Sequence, residues 1–170
     1  AVGRLRRNGG ALTWHNGGDV AALSGVIFAD STAVGNVDTG VDDLISFTMP
    51  ANTLAANNRG LRVTAWGTNA ANANSKRIRL LFGAAVISNT GAIVMNNTSW
   101  KFVAEILRRG ASSQTVCATT WEGVFTSAAN VVSVTTQTVD ETAAIIIKCT
   151  GEATTTNDIA QQGMIVEVLN

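Results

Sequence analysis

Residues 59–68 read RGLRVTAWGT. Leu61, Val63 and Ala65 alternate with Arg62, Thr64 and Trp66, so an extended chain here has one apolar face and one mixed face. Successive side chains of a strand point to opposite sides of a sheet, whereas a helix would scatter these residues around its axis. The stretch is read as a strand with one face in a core.

The same period returns along the chain. KRIRLLFG (76–83) sets Ile78, Leu80 and Phe82 opposite Arg77 and Arg79. WKFVAEILRR (100–109) sets Trp100, Phe102, Ala104 and Ile106 opposite Lys101, Val103 and Glu105. Further strand candidates are GVIFAD (25–30), DLISFTMP (43–50), AAVIS (84–88), QTVCATTWEG (114–123), VVSVTTQTV (131–139), AAIIIKCTG (143–151) and GMIVEVLN (163–170). Small polar runs such as TNAANANS, MNNTS and TTTND join them. Asparagine suits such turns because it tolerates left-handed backbone angles and bonds its own main chain. ANTLAANN, beginning next to Pro50, is read as a turn. Eight to ten strands without intervening helices predict an all-β fold, an antiparallel jelly-roll-like sandwich over residues 25–170. Residues 1–24 carry frequent glycines and too little apolar content for a core, and are read as an extended arm or shaft remnant with a boundary near Gly25.

Composition narrows the function classes. Only 14% of the 170 residues are charged, against about 25% in an ordinary soluble domain. Asn, Thr, Ser, Ala and Gly must therefore supply much of the surface. Twelve basic residues balance twelve acidic ones, which argues against nucleic-acid binding, where a basic field must neutralise phosphates. No apolar run reaches the ~18 residues of a membrane span, so no membrane insertion is expected, and no signal peptide is visible. Cys117 and Cys149 are read as two buried thiols in strands, with a single inter-strand bridge as the alternative. No second histidine or cysteine pair stands at ligand spacing, so neither metal nor cofactor is expected.

Candidate chemistry is sparse. His15 could pair with Asp19, yet a Gly-rich segment outside the core offers nothing to hold a triad in place. Asp42 and Asp43 are adjacent and point to opposite faces, and no pattern brings two of Glu105, Glu122, Glu152 and Glu167 together as a glycosidase pair requires. NVDTGVDD (36–43) has the turn residues of a calcium loop without its distal bidentate glutamate. Arg4, Arg6 and Arg7 form a short basic cluster. Arg108 and Arg109, and Lys76, Arg77 and Arg79, are read as solvated strand ends. No enzymatic activity is expected. Of the tryptophans, Trp66 leaves the apolar face of its strand and offers a flat ring for stacking, Trp100 travels with Phe102 into the core, and Trp121 is the third of interest.

Two segments resemble a known family. LRRNGGALTWHNGGD (5–19) resembles the short repeat of bacteriophage tail-fibre shafts, with Trp14, His15, Gly17 and Asp19 matching its Trp-His-x-Gly-x-Asp-like step and Gly18 standing where such repeats often have Asn. From Leu44 onward, ISFTMPANTL, LRVTAWGTNAANANSKRIRLLFG, WKFVAEILRRG and NDIAQQGMIVEVLN resemble a β-rich domain of phage tail and other virion proteins. The resemblance implies a non-enzymatic virion protein, commonly a homotrimer, made in the host cytoplasm. Trp14, His15 and the arm arginines would then serve assembly at a shaft-to-head junction.

On this reading the chain is the trimeric distal head of a tail fibre or tail spike that attaches to a host surface glycan or protein. The loops expected to make contact are 69–75, 96–99 and 154–157, with Asn69, Asn72, Asn74, Asn96, Asn97, Thr155, Asn157 and Trp66 as candidate binding residues, since loops on a rigid sandwich vary without unfolding it. The alternatives are a trimeric capsid decoration protein that grips other virion proteins with its arm, and a carbohydrate-binding module built on Trp66.

Overall fold

The computed structural model describes residues 25–123 and 131–170 in full and, ahead of them, the backbone of three short strands. In chain order the strands are β1 (Arg4–Asn8), β2 (Ala11–Asn16), β3 (Asp19–Ala22), β4 (Gly25–Asp30), β5 (Val34–Gly35), β6 (Val41–Met49), β7 (Gly60–Asn69) and β8 (Ser75–Phe82). They continue as β9 (Ala85–Asn89), β10 (Ile93–Val94), β11 (Ser99–Gly110), β12 (Ser113–Glu122), β13 (Val131–Gln137), β14 (Ile145–Ala153) and β15 (Ile159–Val168). Of the three short strands ahead of Gly25, β1 pairs with β2 and β2 with β3, both antiparallel.

The sandwich consists of two antiparallel sheets. The larger runs β13-β12-β11-β7-β15-β4 with β5 also on β15, and the smaller runs β10-β8-β14-β6 with β9 also on β8. The pairings are nested. β4 pairs with β15, β6 with β14 and β7 with β11, around the central β8, β9 and β10. A chain folded as one long hairpin and then wrapped over itself has this order, which is the jelly roll. The hairpin β12–β13 extends the larger sheet beyond β11.

The alternation seen at residues 59–68 is what closes the core. Leu61, Val63 and Ala65 of β7, Phe102, Ala104 and Ile106 of β11, and Met164 and Val166 of β15 are fully buried. They face Ile78, Leu80 and Phe82 of β8 and Ile147 and Cys149 of β14, which are buried as completely. Each of the Leu, Ile, Val, Phe and Met side chains among them contributes about 1.5–3 kcal/mol through removal from water. Leu54, in the turn predicted after Pro50, caps one end of the core and is also fully buried.

All ten expected strands are present. The two-residue strands β5 and β10 were not anticipated, being too short to show a period. Asn52, Asn58, Asn97 and Asn157 occupy left-handed backbone conformations at φ 61, 66, 51 and 59, in keeping with the asparagine-rich turns. Both cysteines are free. Cys149 is buried as expected, but Cys117 is only half-buried, because it shares the outward face of β12 opposite Glu105.

Candidate functional site

The three loops singled out in the sequence meet at one end of the sandwich. Asn69 N donates to Thr98 O (2.8 Å), Asn97 N to Ala70 O (3.1 Å) and Ala70 N to Asp158 O (2.9 Å). The β5–β6 loop joins them through Asn157 N, which donates to Asn36 O at 2.8 Å.

Asp158 ties this end together. It is buried, and its Oδ1 accepts from Asn72 Nδ2 at 2.6 Å, while Oδ2 accepts from Asn74 Nδ2 at 2.9 Å and from Thr155 N at 3.0 Å. Burial alone would raise the pKa of this carboxyl. The donors from Asn72, Asn74 and Thr155 outweigh it and hold the pKa at about 2. Lys76 corrects the reading of a solvated strand end: it is fully buried, and its Nζ donates to Asn72 Oδ1 (2.7 Å), Asn74 O (3.1 Å) and Asn72 O (3.4 Å). Asn36, also buried, donates to Thr155 O at 2.9 Å and accepts from Ile159 N at 2.9 Å.

The candidate binding residues therefore divide. Asn69 is buried, its amide donating to Thr98 Oγ1 at 3.1 Å. Asn72 spends its side chain on Asp158 and Lys76, and Asn74 its side-chain amide on Asp158. Asn96, Asn97, Thr155 and Asn157 are exposed on the rim. Arg4, Arg6, Arg7, Trp14 and His15 fall on β1 and β2, where register sets Arg4 opposite His15; their side chains lie outside the described residues.

Trp66 opens a second part of the same end. Across the outward face of the larger sheet, register aligns Gly163 of β15, Trp66 of β7, Lys101 of β11 and Trp121 of β12 in one row. Both indoles are half-buried and Lys101 is exposed. A Cβ on Gly163 would collide with ring atoms Cζ2, Cε2 and Cη2 of Trp66, so that ring lies against bare backbone. The Lys101 ammonium stands 5.7 Å from the Trp121 ring centroid, within cation–π reach. Gln162, thrown outward by the bulge between Gln161 and Gly163, donates to Thr68 Oγ1 at 3.2 Å beside the row. Trp100, by contrast, is buried and packs on Phe102 with centroids 5.5 Å apart. Sequence reasoning found Trp66 but not its alignment with Lys101 and Trp121.

Three of the other carboxylates are held in ion pairs. Glu105 pairs with Arg62 at 2.8 Å, Asp43 with Lys148 at 2.6 Å, and Glu152 with Arg79 at 2.6 Å and Arg77 at 3.6 Å. A shallow cleft of about 170 Å³ beside Arg77, Thr39 and Thr154 holds a single carboxylate, that of Glu152. In the NVDTGVDD loop, Asp42 Oδ2 accepts from Val37 N (2.8 Å) and Asp38 N (3.2 Å), and Asp38 Oδ1 from Gly40 N (2.6 Å). These carboxylates close a turn on their own backbone. Arg108 is a further correction: it is not a solvated strand end but pairs at 2.6 Å with the buried Glu141, at the opposite end of β11.

No family model matches the chain. No curated protein matches it either. Among solved structures, it is similar to the CBM2 module of the Lactobacillus casei BL23 phage J-1 evolved Dit, with 9% identity and a TM-score of 0.35 over 98% of this chain and 80% of that one.

Proposed function

We propose that this chain is a non-enzymatic attachment domain of a bacteriophage virion, the trimeric distal head of a tail fibre or tail spike that holds the host cell surface. One observation carries the reading beyond the resemblance of the sequence. Loops contributed by both sheets are drawn to one end and locked around Asp158, giving a rigid rim of Asn96, Asn97, Thr155 and Asn157. A preorganised surface binds without the entropic cost of ordering its loops, and three copies would multiply weak contacts through avidity.

Trimerisation has a physical motive. Ile146 and Val86 on the smaller sheet and Val132 and Val134 on the larger stand 47–69% exposed, apolar area that neighbouring subunits would cover. Attachment to other virion proteins through the arm is the competing role. The two are separated by comparing the full chain with residues 25–170. A fibre head binds bacterial cells with or without the arm. A decoration protein binds expanded capsids and loses that binding when residues 1–24 are removed.

A further inference from the structure

We propose that the outward row beside the loop end is a binding site for an acidic polysaccharide, with Trp66 and Trp121 as stacking platforms and Lys101 as the anion-binding group between them. This rests on the attachment reading and names its ligand class.

The geometry suits an extended sugar chain. Trp66 and Trp121 sit on strands that flank β11, and at about 4.8 Å per strand their positions lie about 10 Å apart. Two linked pyranose rings span a comparable length, so consecutive or alternate sugars can each meet an indole. Gly163 lets Trp66 lie against the sheet backbone, which turns the opposite ring face outward. Apolar ring faces of this kind cover the C–H face of a pyranose at little conformational cost, since the indole is already fixed. Beside them Thr68, Gln162, Thr119 and Ser99 are uncharged side chains able to donate to and accept from hydroxyl groups.

Lys101 supplies the charge preference. It is exposed, and among the described residues it makes no ion pair. Arg62, a cation on the same face of the neighbouring β7, is already matched by Glu105 at 2.8 Å. A neutral glycan laid across the row would cover an ammonium without answering it, whereas a carboxylate or phosphate on the sugar makes a charge-assisted hydrogen bond there.

The test measures the full chain by calorimetry against polygalacturonate, a glycerol-phosphate teichoic acid and neutral dextran, which separates carboxylate from phosphate as the recognised group. The expected result is binding to at least one acidic polymer, weakened tenfold or more by Trp66→Ala and by Trp121→Ala. Lys101→Met should abolish the preference over dextran; because Lys101 is exposed, this variant keeps the test decisive where a tryptophan variant unfolds. Equal binding to dextran, no binding to either acidic polymer, or indifference to all three substitutions would overturn the proposal. So would a loss of oligomer mass in the tryptophan variants, which would make the row a subunit contact. Cell binding by the wild-type chain, measured alongside, keeps the two readings apart. If cells bind wild type and row variants equally, attachment stands and this site falls. If no strain binds the wild type, the attachment reading itself fails.

Discussion

Trp66 lies on Gly163, and only the missing Cβ of that glycine lets it do so. The two residues face each other across β7 and β15 at the bulge that throws Gln162 outward. Gly163→Ala should therefore lift the indole from the sheet or shift the strand, at about 1–3 kcal/mol as in other overpacked sites. A lower melting temperature together with changed tryptophan emission would show it. An unchanged spectrum would mean that the ring has room the geometry does not give it.

Asp158 stabilises the loop end only while ionised. Its pKa is depressed from the ordinary carboxylate value to about 2, so its contribution is fully present above about pH 4 and is lost as the pH falls through about 2. Glu141 shifts in the same direction: burial opposes ionisation, and Arg108 with the Ser112 amide overcomes it. Acid unfolding should steepen in that window. Asp158→Ala, which strands the Asn72 and Asn74 amides, should cost about 3 kcal/mol at neutral pH and flatten the acid limb. Urea melts at several pH values would measure both.

At the other end, Glu141 Oε1 accepts from Arg108 Nε at 2.6 Å, and its Oε2 from Ser112 N at 2.9 Å and Gln114 Nε2 at 3.1 Å. Removing one partner of a buried pair leaves an uncompensated charge, so Arg108→Met should destabilise by about 3–5 kcal/mol. A double variant, Arg108→Met with Glu141→Gln, should recover part of that loss in chemical denaturation. A double variant as unstable as the sum of the two singles would show that the groups do not act as a pair.

Assembly is checked by solution mass. Light scattering should return three chains per particle across a hundredfold dilution. A monomer at every concentration would leave Ile146, Val86 and Val134 exposed in solution and would remove avidity from the account.

Much of the fold was legible because period two is a local signal. Leu61, Val63, Ala65, Ile78, Leu80 and Phe82 are all buried on the faces that alternation assigns. Lys76 shares the parity of Ile78 and Leu80, yet a charge reads as solvent until Asn72 and Asn74 are known to fold back over it. Arg108 fails for the same reason, its partner Glu141 lying far along the chain. Sheet order is not local at all. Trp66, Lys101 and Trp121 become neighbours only through the register of three strands, which no single segment encodes. The loops were legible as asparagine-rich turns, but not which of their side chains turn inward to Asp158 and which remain on the rim.

The most direct test of the account is attachment itself. The fluorescently labelled full chain, applied to a panel of Gram-positive and Gram-negative strains in flow cytometry, should bind at least one strain saturably and be displaced by unlabelled chain. Failure to bind any strain, or binding that excess unlabelled chain does not displace, would contradict it.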